Sequence, residues 1–224
     1  MNGFIELFAD YDVLGAFWMN IKLTAISAVG AFILGTILAL FRISPVASFR
    51  TIGTAYVNIV RNTPLTIIMV LGVLAVWGQL KIEFFSDFSL NFFTYAIIAL
   101  SLYHASFVCE AIRSGVNTVP LGQAEAARAI GLSFLPAARI IVLPQALRGA
   151  VTPLGNTLIA LTKNTTVAAA ASVAEASGLM STMIEFNPNL MTYIFLTIAI
   201  GFCLLVIPMG FLTTWLSDKL AVAR

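Results

Sequence analysis

The sequence predicts an all-α integral membrane protein with five transmembrane helices. Of the 224 residues, 60% are hydrophobic and only 10% are charged, and the mean hydropathy is +0.98. Soluble proteins carry about 25% charged residues, so these values exclude a soluble globular fold. The charged residues also leave long gaps in the chain, and a membrane-spanning helix needs about 20 consecutive apolar residues. These gaps locate the spans.

Four charge-free runs are long enough to cross a bilayer as helices. They cover residues 23–41, 62–80, 88–109 and 186–217, with 19, 19, 22 and 32 residues. A fifth run, 149–162, has only 14 residues and would rise about 21 Å, less than a hydrocarbon core of about 30 Å. Adding the polar residues 163–166 and the apolar run 167–173 makes it long enough. We therefore predict that the fourth span is polar in its middle or towards one end.

The second span opens on Arg61, Asn62, Thr63 and Pro64. Pro64 removes one helical hydrogen bond, which predicts a kink, and the Thr63 hydroxyl can bond a freed carbonyl. Arg61 either marks the cytoplasmic end of the span or takes part in gating.

Lys and Arg residues are distributed unequally between the connecting segments, and cytoplasmic segments are enriched in both. With the N-terminus outside, the inner segments hold Arg42, Arg50, Arg113, Arg128, Arg139, Arg148, Lys219 and Arg224. The outer segments then hold Glu6, Asp10, Asp12, Glu83, Asp87 and Glu185, with Lys81 as the basic exception. The sequence predicts an N-out, C-in orientation.

A polar, basic loop at residues 122–144 interrupts the apolar chain and falls on the cytoplasmic side. Pro120 suits the first turn of a short helix, and Gly131 suits its left-handed end. Ser133 is placed to cap a second short helix. We expect this second helix to end at Pro144.

The loop contains Glu125, Ala126, Ala127 and, after them, Gly131. This order, followed by Leu-Pro, resembles the EAA loop of ABC importer permeases, which docks on a cytoplasmic ATPase. The two alanines allow close approach of a helix, Glu125 and Arg128 offer charged anchors, and Gly131 permits a sharp turn. The alternative is an ordinary amphipathic surface loop between two membrane helices.

The resemblance extends over about residues 17–182. It rests on KLT at 22–24, LFRIS at 40–44, YVN at 56–58, RNTPL at 61–65, EAIRSG at 110–115, LPQA at 143–146 and IALTKNTT at 159–166. These motifs are similar to the polar amino-acid branch of the family, especially the glutamate-uptake permease subunits of coryneform actinobacteria. Family members commonly have Lys-Asp-Thr-Ser where this chain has KNTT at 163–166, and an aromatic run after Thr-Pro-Leu that is absent here. Both departures concern the choice of substrate.

The resemblance implies a type I ABC importer fold with cytoplasmic coupling helices in one domain of residues 1–224, in the bacterial cell membrane. It implies partnership with ABC ATPase subunits, with a second permease (another copy or a paralogue) and with an extracytoplasmic solute-binding protein, for an amino acid such as glutamate. The sequence has no Walker A pattern, so we expect ATP and Mg²⁺ to be used by the partner ATPase. We expect this chain to bind no cofactor and to catalyse no reaction itself. Dispersed basic residues argue against nucleic-acid binding.

Two other functional classes are alternatives to the importer. A membrane scaffold or channel-like subunit without ATP coupling fits the hydrophobicity but leaves the pattern at 122–144 unexplained. A membrane-embedded enzyme would need clustered carboxylates, a Ser/His arrangement or metal ligands in the spans, and the sequence offers none.

Lys163 lies inside the predicted fourth span, where a lysine costs about 2.5–3.5 kcal/mol on insertion scales. Asn156, Asn164, Thr165 and Thr166 lie near it in sequence. One hypothesis is a polar patch in which Lys163 meets a carboxylate of the transported amino acid, with Arg61 also on the substrate pathway. The alternatives are that Lys163 reaches the outer interface or pairs with an acid of a partner subunit.

Other polar residues receive structural predictions. Glu110 and Arg113, three residues apart, share a helix face and should form an ion pair. His104, alone in an apolar run, should serve packing. Glu175 and Glu185 are placed near the outer side, either facing a solute-delivery partner or solvated in a loop.

Overall fold

A computed structural model describes residues 10–220, and these residues form helices and short connections with no strand. Glu6 and Arg224, which the sequence assigns to opposite sides, lie outside the described residues. The helices are α1 Val13–Ile43, α2 Ala47–Arg61, α3 Leu65–Leu71, α4 Phe88–Val116, α5 Leu121–Ala129, α6 Phe134–Ala137, α7 Leu143–Gly149, α8 Val151–Asn164, α9 Ala176–Phe186 and α10 Met191–Leu220.

Three helices, α1, α4 and α10, are each long and apolar enough to cross a membrane alone. Two further spans arise if each of two bent helix pairs counts as one: Ala47–Arg61 with Leu65–Gln79, and Phe134–Gly149 with Val151–Ala171. The described residues thus contain three to five candidate spans. Each of the five predicted runs lies within one of these segments or extends beyond it by at most two residues, because charge is expensive in a bilayer and marks where apolar segments stop.

The chain turns through 98° between α2 and α3. Pro64 directly precedes α3, and the side chains before it bond carbonyls at the end of α2. The Thr63 hydroxyl donates to the Ile59 carbonyl oxygen at 2.8 Å, and the Asn62 amide donates to the Asn58 carbonyl oxygen at 2.8 Å. The predicted kink and the role of Thr63 are confirmed. The separate helix α2 was not predicted.

Helical turns widen or tighten at four places among the described residues, the last of them a 3₁₀ turn over Pro188–Leu190 directly before α10. α3 continues as a π-helix over Gly72–Gln79, and α6 continues as a π-helix over Ala138–Val142 into α7. α8 continues as a 3₁₀-helix over Thr165–Ala171. The predicted fourth span therefore changes its backbone geometry within its polar segment. α9 follows, in a stretch for which the sequence predicted no helix.

The chain divides into two compact units. Unit 1 is Met1–Ala28, Pro64–Leu100 and Ala160–Pro208; unit 2 is Val29–Thr63, Ser101–Ile159 and Met209–Arg224. The core of unit 1 joins α1, α9 and α10 through Val13, Ala16, Ala176, Met183, Ile194 and Ile198.

The core of unit 2 joins α1, α2 and α4 through Ala31, Leu38, Ala39, Val57, Ala105, Val108, Cys109 and Ile112. Its small residues let the helices pack closely. A Cβ added to Gly35 would lie 2.6 Å from Val108, so α1 and α4 touch there nearly backbone to backbone.

Candidate functional site

The residues that resemble a coupling loop form a rigid helix and turn in unit 2. Pro120 occupies the N-cap position of α5, and Gly131 has a φ of +85°. The Gly131 N–H donates to the Arg128 carbonyl and the Leu132 N–H to the Ala127 carbonyl, both at 3.0 Å. These two bonds define a Schellman motif, in which glycine takes the left-handed position. The predicted left-handed end at Gly131 is confirmed.

α5 buries one side and exposes the other. Ala127 is buried, whereas Glu125, Ala126 and Arg128 are exposed. Apolar side chains are exposed around them, with Leu121 at 82% and Ile130 at 75% of their free accessibility. The exposed side of α5 therefore combines two opposite charges with apolar contact area, which suits a protein partner.

The second half of the loop differs from the sequence prediction. Ser133 occupies the N-cap position of α6, but its side chain makes no capping hydrogen bond. The prediction that the unit ends at Pro144 is wrong, because Pro144 lies in the first turn of α7 and the helical chain continues to Gly149. Before Pro144 the chain forms a wider π-helix, in which the Leu143 N–H bonds the Ala138 carbonyl five residues back, so the missing proline N–H breaks no regular α-helical bond at this position.

A cluster of ionic contacts surrounds Glu110 of α4. Its carboxylate contacts the guanidinium groups of Arg42 at the end of α1, of Arg61 at 3.7 Å and of Arg113 at 3.2 Å. The predicted pair with Arg113 is confirmed, and sequence reasoning missed the other two partners. Arg61 also lies over the Phe107 ring, 5.3 Å from its centroid. One carboxylate thus ties together the ends of three helices.

The predicted substrate-pathway residues lie in different environments. Lys163 is exposed at the end of α8, Asn164 and Thr166 are half-buried, and the Thr166 hydroxyl donates to the Lys163 carbonyl at 2.9 Å. Thr165 is fully buried, and its hydroxyl donates to the Thr162 carbonyl at 2.7 Å. Asn156 is exposed on α8 within unit 2, the unit that also holds Arg61. Lys163 to Thr166 belong to unit 1.

A buried polar network in unit 1 connects Asn20, Thr165 and Glu175, all with no exposed surface. The Asn20 amide donates to the Thr165 hydroxyl at 2.8 Å and to the Glu175 carboxylate at 2.9 Å. Its oxygen accepts from the Ala176 N–H at 3.0 Å. Sequence reasoning missed this network, which joins α1 to the start of α9.

Glu175 is the N-cap of α9, and both predictions for it, a partner-facing or a solvated carboxylate, are wrong. Its side chain accepts from the backbone N–H groups of Ser177 and Gly178, which satisfies two donors at the helix start. Burial raises the pKa of the Glu175 carboxyl, although the bonds from Ser177, Asn20 and Gly178 act in the opposite direction. Glu185, by contrast, is exposed on α9.

His104 is buried and packs against aromatic rings, as predicted. The centroid of its ring lies 5.2 Å from that of Tyr103 and 6.1 Å from that of Phe107. Across residues 10–220, no three His, Cys, Asp or Glu side chains are grouped so that they could hold a metal ion.

Comparison with known families identifies the chain. The family described as "Binding-protein-dependent transport system inner membrane component" matches residues 31–222. The chain belongs to this family. It is therefore a multi-pass membrane protein, and its curated relatives are permease subunits rather than catalysts.

Several relatives match this transport component over nearly their full length. The glutamate transport system permease protein GluC of Corynebacterium glutamicum is 48% identical, over 97% of this chain and 99% of the relative. A probable glutamine ABC transporter permease of Bacillus subtilis is 31% identical over 96% of each chain.

Two solved structures share the fold. A chain of an amino acid ABC transporter crystallised with histidines superposes with a TM-score of 0.78 at 22% identity, covering 96% of this chain and 98% of that one. A chain of the methionine transporter MetNI in an inward-facing conformation gives a TM-score of 0.70 at 23% identity, covering 94% and 96%. The fold is that of a type I ABC importer permease, as the sequence predicted.

Proposed function

We propose that the chain, a permease subunit of an amino-acid importer, forms half of a translocation pathway for glutamate. The observation that carries the substrate is the 48% identity to a glutamate transport permease across 99% of that relative's length. A match of this extent includes every helix described above, not only the family motifs. The chain departs from the family pattern at KNTT, residues 163–166, and in lacking the aromatic run after Thr-Pro-Leu. The identity of the transported amino acid is therefore tested separately from the coupling to the ATPase.

For the membrane arrangement, we propose five spans in one domain of residues 1–224, with the N-terminus outside, in the bacterial cell membrane. Each bent helix pair then counts as one span. The distribution of charge supports this orientation: Arg42 and Arg113 lie in the last turns of α1 and α4, and α4 leads directly into the loop that contains α5. Arginines at these helix ends fit the cytoplasmic side.

For energy coupling, α5 is the contact with an ABC ATPase. Glu125 and Arg128 supply charges, Ala126 and the buried Ala127 allow close approach, and the Schellman motif at Gly131 holds the turn. ATP and Mg²⁺ are bound by the ATPase, and closure of its subunits moves α5. A second permease, either another copy or a paralogue, completes the pathway, and an extracytoplasmic solute-binding protein delivers the amino acid.

For the substrate pathway, Lys163, Asn164, Thr166, Asn156 and Arg61 are the residues we assign. Thr165 supports them from the interior, since its hydroxyl is bonded to Asn20 and the Thr162 carbonyl. The exposed ammonium group of Lys163 is placed to attract the carboxylate of glutamate. Lys163→Met should therefore weaken uptake without loss of the assembled complex, and unchanged uptake kinetics would exclude this role.

A pull-down from native membranes in mild detergent tests the coupling. The tagged chain should recover an ABC ATPase, and the double variant Glu125→Lys, Gly131→Asp should lose it. Recovery of no ATPase with the unaltered loop would reject the importer. Substrate is then tested by ATP hydrolysis of the reconstituted complex with its binding protein, in the presence of glutamate, aspartate, glutamine or arginine. Stimulation by another amino acid in preference to glutamate would reject glutamate while leaving the importer in place.

A further inference from the structure

A cavity of about 560 Å³ opens within unit 2 beside the Glu110 cluster. Its polar lining consists of three arginines, two threonines and one asparagine: Arg42, Arg50, Arg113, Thr51, Thr54 and Asn58. The coupling loop does not contribute to this lining, and neither does any of the residues assigned to the substrate pathway.

The cavity is strongly cationic. Glu110 is the acid in contact with its arginines, and this one carboxylate is shared by Arg42, Arg61 and Arg113. Arg50 adds a further guanidinium, which donates to the backbone carbonyls of Ser44 and Pro45 at 2.9 and 2.7 Å. Carbonyl groups carry no charge to neutralise it. Three guanidiniums therefore line the cavity, with Glu110 as the one carboxylate in contact with two of them, and the excess positive charge favours an anion.

The donor set favours an oxyanion. Guanidinium groups bind carboxylates and phosphates through parallel N–H donors, and Thr54 and Asn58 add a hydroxyl and an amide. Arg50, Thr54 and Asn58 lie four residues apart along α2, so they share one face of that helix. The donors are thus arranged along a line, at the mouth of the cavity rather than at a single point.

The surroundings of these hydrogen-bond donors indicate which kind of molecule carries the anionic group. Arg42 and Arg113 lie in the last turns of α1 and α4, two helices apolar enough to span a membrane. These two helix ends place the donors at the depth where the phosphates of a bilayer lie, and clustered basic residues there are typical of sites for anionic lipid headgroups.

We propose that this cavity binds a phosphate group, and that its carrier is the headgroup of an anionic phospholipid. The phosphate oxygens lie against Arg50 and the guanidiniums of Arg42 and Arg113, and Thr54 donates to the same group. Basic pockets at the ends of transmembrane helices recognise lipid headgroups in this way.

The test uses the assembled importer, purified and stripped of lipid, and native mass spectrometry to count bound lipids as phosphatidylglycerol or phosphatidylcholine is added. Three variants are compared with the unaltered chain. Arg50→Gln removes the one cavity arginine that does not contact Glu110, and Thr54→Val removes a donor without changing any charge. Arg148→Gln is the control, since Arg148 is exposed in the same unit but does not line the cavity.

We expect phosphatidylglycerol to bind more tightly than phosphatidylcholine. Arg50→Gln should weaken this binding about tenfold, as loss of one charge-assisted bond implies, and Thr54→Val about threefold. Arg148→Gln should leave it unchanged, and excess inorganic phosphate should not displace the lipid. Thr54→Val retains every ionic contact, so it gives a result even if Arg50→Gln fails to assemble.

Three outcomes would overturn the proposal. An equal loss of binding in Arg50→Gln and Arg148→Gln would show only a general effect of surface charge. Displacement of the lipid by inorganic phosphate would make a soluble phosphate the ligand. Displacement by glutamate at the same site would make the cavity part of the solute route.

Discussion

The buried network around Asn20 makes a quantitative prediction about stability. Asn20→Leu keeps the number and branching of the side-chain heavy atoms but removes two donated bonds and one accepted bond. The Thr165 hydroxyl keeps its bond to the Thr162 carbonyl, and the Glu175 carboxylate keeps its bonds to α9. The Ala176 N–H is left buried without its acceptor.

The cost follows from these losses. An orphaned buried N–H costs about 1–3 kcal/mol, and a lost bond to a carboxylate costs a similar amount. The leucine side chain recovers about 1–2 kcal/mol through apolar burial. The net loss is about 3 kcal/mol, which lowers the melting temperature of a chain of this length by about 6–12 °C. Thr165→Val, which removes the bond from Asn20 and the bond to the Thr162 carbonyl, should cost about 2 kcal/mol.

The assay is thermal unfolding of the purified chain in detergent, followed by size-exclusion chromatography of the soluble fraction. Asn117→Leu is the matched control, because Asn117 is exposed and the same atoms are exchanged. A melting temperature for Asn20→Leu within about 2 °C of the unaltered chain would refute the reasoning. So would an equal fall in Asn117→Leu.

Three further predictions concern backbone conformation, packing and pH. Gly131→Ala should destabilise the turn after α5 by about 1–2 kcal/mol because of its positive φ, and should reduce recovery of the ATPase in pull-downs. Gly122→Ala is the control, because a Cβ at Gly122 also meets open space, and it should leave recovery of the ATPase unchanged. Equal recovery with the two variants would contradict the prediction. Gly155→Ala should lower the melting temperature, because its Cβ would lie 2.0 Å from a threonine methyl of α10, whereas Gly210→Ala, with 4.0 Å of clearance, should be tolerated. Burial raises the pKa of Glu175, which favours the protonated carboxyl in the folded chain. The stabilisation that the protonated carboxyl supplies is complete below the usual pKa of 4.5. It is lost as the pH rises through the higher pKa of the folded state. We therefore expect the difference in melting temperature between the unaltered chain and Glu175→Gln to become smaller as the pH rises from 4 to 8. A difference that stays constant would contradict this prediction.

The long apolar segments and the turn after α5 could be predicted from the sequence because both depend on local rules. Charge is excluded from the bilayer wherever the chain crosses it, and a left-handed backbone after a short helix selects glycine at Gly131. The kink at Pro64 is equally local, since it follows from one missing N–H. The independent helix α2 depends on its packing against α1 and α4 through Val57, and neither this contact nor the 98° angle follows from a local rule.

The remaining misses involve long-range contacts. Glu175 was assigned to the surface because charged residues are rarely buried without partners, and its partner Asn20 is 155 residues away in sequence. The three arginines of Glu110 could not be foreseen for the same reason, apart from Arg113 at helical spacing. The predicted helix end at Pro144 is wrong because a π-helix over Ala138–Val142 carries the chain into α7, and the sequence has no pattern from which this π-helix could be predicted.

The shared carboxylate of Glu110 also bears on how the protein is made. Arg42 precedes Glu110 by 68 residues, and Arg61 lies between them, so the ribosome delivers both arginines before their common acid. Until α4 is made, α1 and α2 meet through contacts such as the stacked Phe41 and Phe49 rings, and residues 13–61 contain no acid to pair with their arginines. Insertion of α4 then fixes three helix ends in one step. A single late residue thus sets the order in which the first half of the protein becomes rigid.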